Sequence, residues 1–141
     1  WEITWRENNR SHPLVKGWKF FGAGVVVKDC EIACEYFLHL GFSVEKEVHK
    51  SKDLGVKFCH VKVGNMMFEL IEPTKDSLVY LEYLNTRGEG IADISFIVKD
   101  LQSETKDLEE KGADILFSTN ECALIDARKQ GNTIIKLFRN A

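Results

Sequence analysis

The chain has 141 residues, of which 44% are hydrophobic and 29% are charged, and it contains only two prolines. These values are typical of one globular domain and exclude a disordered or fibrous protein. The net charge of −3 comes from interleaved acidic and basic residues, which gives no basic face for nucleic acid. The apolar runs are far shorter than the roughly 20 residues of a membrane-spanning helix. We therefore expect small molecules or proteins as partners, and neither nucleic acid nor membrane.

Residues 1–19 are predicted to form an N-terminal extension without a secretory signal pattern. Its three tryptophans, Trp1, Trp5 and Trp18, carry apolar surface that needs cover. We expect either a homodimer or docking of this segment against the domain. The unusual start of the chain also leaves open that it is excised from a longer polypeptide.

Strand and helix patterns follow in a regular order. A strand, a helix and three further strands are predicted over residues 20–27, 30–40, 43–48, 56–63 and 66–72. A short linker helix over residues 78–85 leads to a second series of elements over residues 91–137.

The second series repeats the first. Val27-Lys28-Asp29 recurs as Val98-Lys99-Asp100, and Gly41 recurs at the same offset as Gly112. Each aspartate can cap a helix N-terminus, and each glycine can end that helix in the left-handed conformation. The sequence therefore predicts an α+β fold of two βαβββ modules, about 20–72 and 90–138, within one domain over residues 20–138.

The four cysteines are dispersed along the chain, unlike the dense disulfide framework of a small secreted protein. This spacing predicts a reducing, cytoplasmic location. Cys30 and Cys34 lie on one face of the first predicted helix, where buried core thiols are expected rather than a metal site.

Two βαβββ modules of this size resemble the vicinal oxygen chelate superfamily, which includes glyoxalase I, methylmalonyl-CoA epimerase, extradiol dioxygenases and bleomycin-resistance proteins. The segments over residues 55–65, 69–73 and 87–91 are most similar to the methylmalonyl-CoA epimerase branch. The resemblance implies a glyoxalase-like, eight-stranded open cup. It also implies a divalent metal held by four inward side chains, one from the first and one from the last strand of each module.

Carried over residue by residue, these metal positions fall on Gly22, Glu69, Asp93 and Lys136. An epimerase-like site has His, Gln or Glu, His and Glu there, so only Glu69 matches. Glycine offers no donor atom and a protonated lysine cannot bind a metal, so we expect no metal and no other cofactor. Lys136 is expected to replace the cation by pairing with Glu69 and Asp93.

The cup therefore supplies the candidate site residues. Glu69, Asp93 and Lys136 are predicted to be catalytic, because grouped ionisable side chains of opposite charge often have shifted pKa values. Asp53 is a fourth candidate, since it lies approximately where the epimerase branch has a loop glutamate. Strand alternation places the predicted substrate-binding positions on the cup wall, at Gly22, Gly24, Met67, Ile71, Ser95, Ile134 and Phe138. None of the four histidines falls on a metal position, and His60 is interpreted as structural.

The resemblance implies an isomerase, epimerase or cyclase that acts on a carbonyl compound or thioester without a bound metal. A non-catalytic binding or resistance protein that uses the same cup is the first alternative. An interaction domain excised from a larger polypeptide is the second.

Overall fold

The computed structural model describes residues 17–45 and 47–139, so residues 1–16 of the predicted extension lie outside it. The strands in these ranges are β1 Lys19–Val26, β2 Ser43–Val44, β3 His49–Ser51, β4 Val56–Val63, β5 Met66–Pro73, β6 Gly90–Val98, β7 Ile115–Ser118, β8 Cys122–Ala127 and β9 Thr133–Arg139. The helices are α1 Cys30–His39, α2 Leu78–Arg87, α3 Leu101–Glu110 and α4 Arg128–Gly131. No helix within the described ranges is long and apolar enough to cross a membrane.

The strands form one mixed sheet whose order mirrors the internal repeat. Its path is β2-β4-β5-β1-β6-β9-β8-β7, and β3 pairs with β4 beside β2. β1 and β6 lie antiparallel at the centre, and each is flanked by a parallel strand, β5 beside β1 and β9 beside β6. The path has two free ends, so the sheet is open, as the sequence predicts for an α+β fold of glyoxalase type.

The two helices of the repeat, α1 and α3, begin and end as the repeat predicts. The Asp29 carboxylate accepts hydrogen bonds from the backbone amides of Glu31 and Ile32, and the Asp100 carboxylate accepts one from Ser103. Gly41 and Gly112 follow α1 and α3 with φ of 98° and 94°, in the left-handed region that favours glycine. Each helix therefore starts after an aspartate and stops before a glycine.

Separate hydrophobic clusters fix the helices on the sheet. Leu70 and Cys59 lie in the cluster beneath α1, whereas Leu137 and Ile125 lie in the cluster beneath α3. A third cluster, which includes Ile71, Tyr80 and Ile134, packs α2 against the strands between them. Trp18, the one tryptophan in the described ranges, packs on the α3 cluster with its ring 5.5 Å from that of Phe96.

The strand predicted over residues 43–48 is instead two short strands. β2 pairs Val44 with Val61, and β3 pairs His49 with Phe58, so the edge has two more residues than β4 between these pairs. Such an insertion interrupts a ladder in the manner of a β-bulge. It leaves Glu45 just past β2, where its amide donates to the carbonyl of His60.

The cysteines differ from the sequence prediction in one respect. Cys30 and Cys34 are buried, as expected, but Cys34 forms a disulfide with Cys59 that joins α1 to β4. Cys30 and Cys122 are free and buried.

The helix caps allow the two modules to be compared in one experiment. Asp29→Ala and Asp100→Ala should each lower the free energy of unfolding by about 1 kcal/mol, because each removes the acceptor for backbone amides of the first turn. Asp29→Asn and Asp100→Asn keep an acceptor and should cost much less. Chemical denaturation of the four variants checks this, and equal losses for Ala and Asn would contradict the capping role.

Candidate functional site

One cleft of about 290 Å³ opens in the concave side of the sheet. Its apolar lining is Phe21, Leu54, Val56, Phe58, Ile71 and Phe138, and its polar lining is Ser51, His60, Glu69, Tyr80, Glu121, Cys122, Lys136 and Arg139. Glu121 and Arg139 form an ion pair of 2.7 Å. We call this space the cup cleft.

A buried ion pair between the two modules lines the cup cleft. The Lys136 ammonium on β9 donates to Oε1 of Glu69 on β5 at 2.7 Å, with side chains only 10% and 15% exposed. Burial opposes the charge on Lys136, but Glu69 and Asp93 raise its pKa above the ordinary value. Burial would likewise raise the pKa of Glu69, yet the Lys136 charge and hydrogen bonds from His60 and Lys136 lower it to about 2. Both groups are therefore charged at neutral pH.

His60 also belongs to this site, although the sequence prediction treated it as structural. Its Nε2 lies 3.0 Å from Oε2 of Glu69, and its Nδ1 lies 3.1 Å from Oε2 of Glu45. A signal for this contact was present in the sequence, because the Gly64-Asn65 turn sets the hairpin register that pairs His60 directly with Glu69. Burial lowers the pKa of His60, but the two carboxylates outweigh it and raise the pKa above the ordinary value.

Asp93 is fully buried on β6 and does not pair with Lys136 as predicted. Its Oδ2 accepts a hydrogen bond of 2.7 Å from the Tyr80 hydroxyl of α2, while its Oδ1 has no hydrogen-bond partner among the described residues. Burial raises the pKa of Asp93 to about 6, even though the Lys136 charge lowers it. Burial and Asp93 also raise the pKa of Tyr80 well above its ordinary value. Tyr80, which the sequence prediction missed, lines the cup cleft and is the part of this pair that reaches it.

Glycine at position 24 makes the buried carboxyl possible. A Cβ atom on Gly24 would collide with the carboxyl group of Asp93, which is paired with Gly24 across β1 and β6. Gly24 therefore leaves the space that the Asp93 carboxyl occupies.

Most of the predicted substrate-binding positions lie outside the lining. Ile71 and Phe138 line the cup cleft, whereas Gly22, Gly24, Met67, Ser95 and Ile134 do not. The register between β1 and β6 shifts between Phe20 and Gly22, so Phe21 takes the wall position expected for Gly22. A Cβ on Gly22 would meet the backbone of Met67, and the Ser95 hydroxyl donates to the Gly22 carbonyl. Ile134 is buried in the α2 cluster.

Asp53 is exposed in the turn between β3 and β4 and does not line the cup cleft. Its neighbours Ser51 and Leu54 do line it. The structure thus brings Glu69 and Lys136 together, places Asp93 behind Tyr80, and leaves Asp53 at the edge.

The donors at the four family metal positions do not fit a divalent cation. Gly22 has no side chain. One oxygen of Glu69 binds the Lys136 ammonium and the other binds His60, and the Lys136 ammonium repels a second cation. In the part of the chain that the structure describes, one group has three close donor side chains, Glu45, Glu47 and His49 on the outer edge. The Glu45 oxygens there already bind His49 and His60, so we assign no metal to it.

Cys122 lines the cup cleft as a neutral thiol. Burial raises its pKa above the ordinary value, which disfavours the thiolate that a nucleophile requires.

Comparison with known proteins agrees with this architecture. The glyoxalase/bleomycin resistance protein/dioxygenase superfamily model matches residues 23–123. No curated protein matches the chain.

Several solved structures share the fold at low sequence identity. Methylmalonyl-CoA epimerase from Mycobacterium tuberculosis is 22% identical, with a TM-score of 0.73 over 87% of this chain and 88% of that one. A variant of the Streptomyces coelicolor enzyme in complex with 2-nitronate-propionyl-CoA is 20% identical, with a TM-score of 0.75 over 87% and 97%. A methylmalonyl-CoA epimerase in complex with methylmalonyl-CoA and NH4+ is 20% identical, with a TM-score of 0.75 over 88% and 95%. Since the family model covers well over half of the sequence, this chain belongs to the glyoxalase/bleomycin resistance protein/dioxygenase superfamily.

Proposed function

We propose that the protein is an epimerase-type isomerase that moves a proton on the carbon next to a carbonyl group, without a bound metal. The observation that carries this proposal is the Lys136 ammonium, a buried cation that lines the cup cleft and is held by Glu69. It stands at one of the positions where the family places a metal ligand. A fixed positive charge there can do the electrostatic work of stabilising an enolate oxygen.

Lys136 is the group that would bind the substrate carbonyl. An ammonium has three N–H donors, and one of them goes to Glu69. Among the described residues the ammonium has no second hydrogen-bond acceptor, so its other donors can bind a carbonyl oxygen in the cup cleft. When a proton leaves the neighbouring carbon, the electron pair of that C–H bond moves toward the carbonyl oxygen, and its new negative charge faces Lys136.

Asp93 and Tyr80 are the groups best suited to move the proton. Glu69, with a pKa of about 2, is too weak a base to take a proton from carbon, whereas the pKa of Asp93 is about 6, near neutral pH. Asp93 reaches the cup cleft only through the Tyr80 hydroxyl. In this proposal the Tyr80 oxygen takes the substrate proton while its own proton passes to Oδ2 of Asp93. The planar enolate then turns its other face to Tyr80, and the reverse transfer returns a proton to that face with inverted configuration.

The size and lining of the cup cleft support an acyl group as the reacting part of the substrate. A volume of about 290 Å³ holds a short acyl chain against Phe21, Ile71 and Phe138, but not a whole coenzyme A molecule. Two of the similar structures hold CoA thioesters, so we propose a thioester whose acyl end enters the cup cleft.

A non-catalytic binding protein is the second candidate. It is favoured by the state of Glu69, because a carboxylate whose two oxygens are already bound is better suited to hold Lys136 than to react. In that case the cup cleft would bind a carbonyl compound through Lys136 without changing it.

Assembly and location stay predictions. α1 exposes Ile32 and Tyr36, 66% and 61% accessible, one turn apart on the same face, which is compatible with the proposed homodimer. The Cys34–Cys59 disulfide counts against the proposed cytoplasmic location, because disulfides are rare in reducing compartments.

Proton exchange at the acyl carbon tests the proposed function directly. In deuterium oxide the protein should place deuterium on the α-carbon of methylmalonyl-CoA, measured by mass spectrometry. Lys136→Met should slow this exchange by roughly 100-fold or more, since it removes the charge opposite the enolate oxygen. Lys62→Met, at an exposed position of β4, is the matched control and should keep the activity.

Lys136→Met leaves Glu69 charged without its lysine partner, which costs on the order of 3 to 5 kcal/mol for a buried pair. If that variant does not fold, Lys136→Met combined with Glu69→Gln removes both charges and serves instead. Binding of the thioester without deuterium incorporation by the unmodified protein would contradict the enzyme and support the binding protein.

The buried Asp93 should give a distinctive dependence of stability on pH. Its pKa rises from 3.8 to about 6 on folding, so the folded state loses stability as the pH increases through this interval. Asp93→Asn should match the original protein below about pH 4 and be more stable at pH 7 by on the order of 3 kcal/mol. Denaturation at a series of pH values measures the difference, with Asp53→Asn as the exposed control. A difference that does not change with pH would show that Asp93 is not buried in an unfavourable charged state.

The donor set predicts the metal content of the protein. Purified without chelator, the protein should contain no stoichiometric Zn, Co, Ni or Mn by elemental analysis, and addition of these ions should not increase activity. One tightly bound metal per chain, lost in Glu69→Gln, would contradict this prediction and indicate a metal-binding enzyme.

A further inference from the structure

The Lys136–Glu69 pair continues outward as a chain in which nitrogen groups alternate with carboxylates. Lys136 binds Oε1 of Glu69, and Oε2 of Glu69 lies 3.0 Å from Nε2 of His60. Nδ1 of His60 lies 3.1 Å from Oε2 of Glu45, whose Oε1 lies 3.0 Å from Nε2 of His49. The chain thus crosses β9, β5 and β4 from the floor of the cup to the exposed edge of the sheet.

The geometry of these contacts favours a doubly protonated His60. Each of its ring nitrogens faces a carboxylate oxygen, and only the imidazolium form can donate from both nitrogens. A neutral ring would place a lone pair against one of the two carboxylates. The side chain is 18% exposed, so water screens these contacts only in part.

The other groups around His60 agree with this state. The charged or titratable groups that face it are Glu69 from β5, Glu45 from the segment after β2, and His49 from β3, whose ring lies 6.1 Å away. Lys136 on β9 reaches it only through Glu69. The Phe21 and Phe58 rings close the remaining sides, at 6.2 Å and 5.4 Å.

We propose that Glu45 and His60 are positioning residues for the cup: they fix the Glu69 carboxylate and, through it, the direction in which the Lys136 ammonium faces the cleft. A carboxylate held at one oxygen can turn about its side-chain bonds, whereas one held at both oxygens cannot. Glu45 contributes by holding the imidazolium in the orientation that serves Glu69. This inference deepens the proposed function, because it rests on Lys136 as the group that binds the substrate carbonyl.

The interaction of His60 with Glu69 weakens as the pH rises. The carboxylates raise the pKa of His60 in the folded protein, so its contribution is complete below the unfolded value of about 6.5. It is lost as the pH rises through the folded pKa, when one of the two hydrogen bonds breaks. Glu45→Gln removes one negative charge and should move this loss to lower pH.

Nuclear magnetic resonance of the whole, ligand-free chain tests the positioning independently of any activity. We expect both ring nitrogens of His60 to be protonated at pH 6 and its titration midpoint to lie above the ordinary value. Glu45→Gln should lower that midpoint, whereas Glu47→Gln, an equal change of charge on the same exposed segment, should change it much less. A neutral His60 at pH 6, or equal midpoints in the Glu45→Gln and unmodified proteins, overturns the proposal.

The same spectra report on Lys136. Its ammonium signal should be sharp in the unmodified protein and broadened in His60→Gln, because a glutamine reaches only one of the two carboxylates and, without Glu45 to orient it, holds Glu69 less firmly. Glu45→Gln, which keeps the histidine, should broaden it less and serves if His60→Gln does not fold. An unchanged Lys136 signal in both variants shows that the two residues do not position the pair.

Kinetics then separate this proposal from the proposed function. In the deuterium-exchange assay, His60→Gln should lower kcat roughly 10- to 100-fold with little change in KM, as expected when a reacting group is misplaced. The loss of activity at high pH should move to lower pH in Glu45→Gln. Unchanged kcat and pH profile in these variants would overturn the positioning role but would not contradict the proposed enzymatic function. If the unmodified protein shows no exchange but the His60 midpoint and the Lys136 signal change in the variants as expected, the proposed function is overturned. The positioning of Glu69 and Lys136 by His60 and Glu45 then still holds.

Discussion

The interaction on which the cup depends is the buried contact between the Lys136 ammonium and the Glu69 carboxylate. Isolated charges of either sign are expensive in a protein interior, and each of these two is tolerated because the other is in contact with it. They lie at equivalent places in the two modules, on the last strand of each. The internal repeat brings such positions together at the centre of the molecule. An anion from one module and a cation from the other therefore form a pair, to which His60 is joined through Glu69.

The two buried carboxyl groups near Lys136 have different pKa values. Glu69 touches Lys136 directly, and its pKa is about 2, whereas Asp93 interacts with the same lysine without a hydrogen bond, and its pKa is about 6. Burial acts on both, so the difference comes from the direct contacts that Glu69 makes with Lys136 and His60. One carboxyl is fixed as a counter-ion, and the other can gain or lose a proton near neutral pH. Two carboxyls with separated pKa values are what a proton-transfer site needs.

The sequence predicts this central pair but not its surroundings, and the reason lies in what each inference uses. Glu69 and Lys136 follow from the family resemblance, and the repeat supports them because it aligns Glu69 with Lys136. Phe21 could not be placed, because a register shift on β1 moves the side chains by one position, and alternation assumes a regular strand. Tyr80 belongs to α2, which the sequence shows only as a linker helix; its packing onto Asp93 depends on tertiary contacts.

His60 is the instructive omission, because its position was accessible from local pattern alone. A two-residue turn at Gly64-Asn65 fixes which residues of β4 and β5 lie opposite each other, and the pair three steps beyond Val63 and Met66 is His60 and Glu69. Glu45 follows in the same way once β2 lies beside β4, because the register that pairs Val44 with Val61 puts Glu45 opposite His60, whose carbonyl accepts from the Glu45 amide. His49 is different. A regular strand continued from β2 would have paired His49 with Val56, whereas the two extra residues pair it with Phe58, two positions from His60. The irregularity at the edge is thus what brings His49 to the outer end of the contacts that run from Lys136 to Glu45, and it is the kind of local departure that periodicity does not reveal.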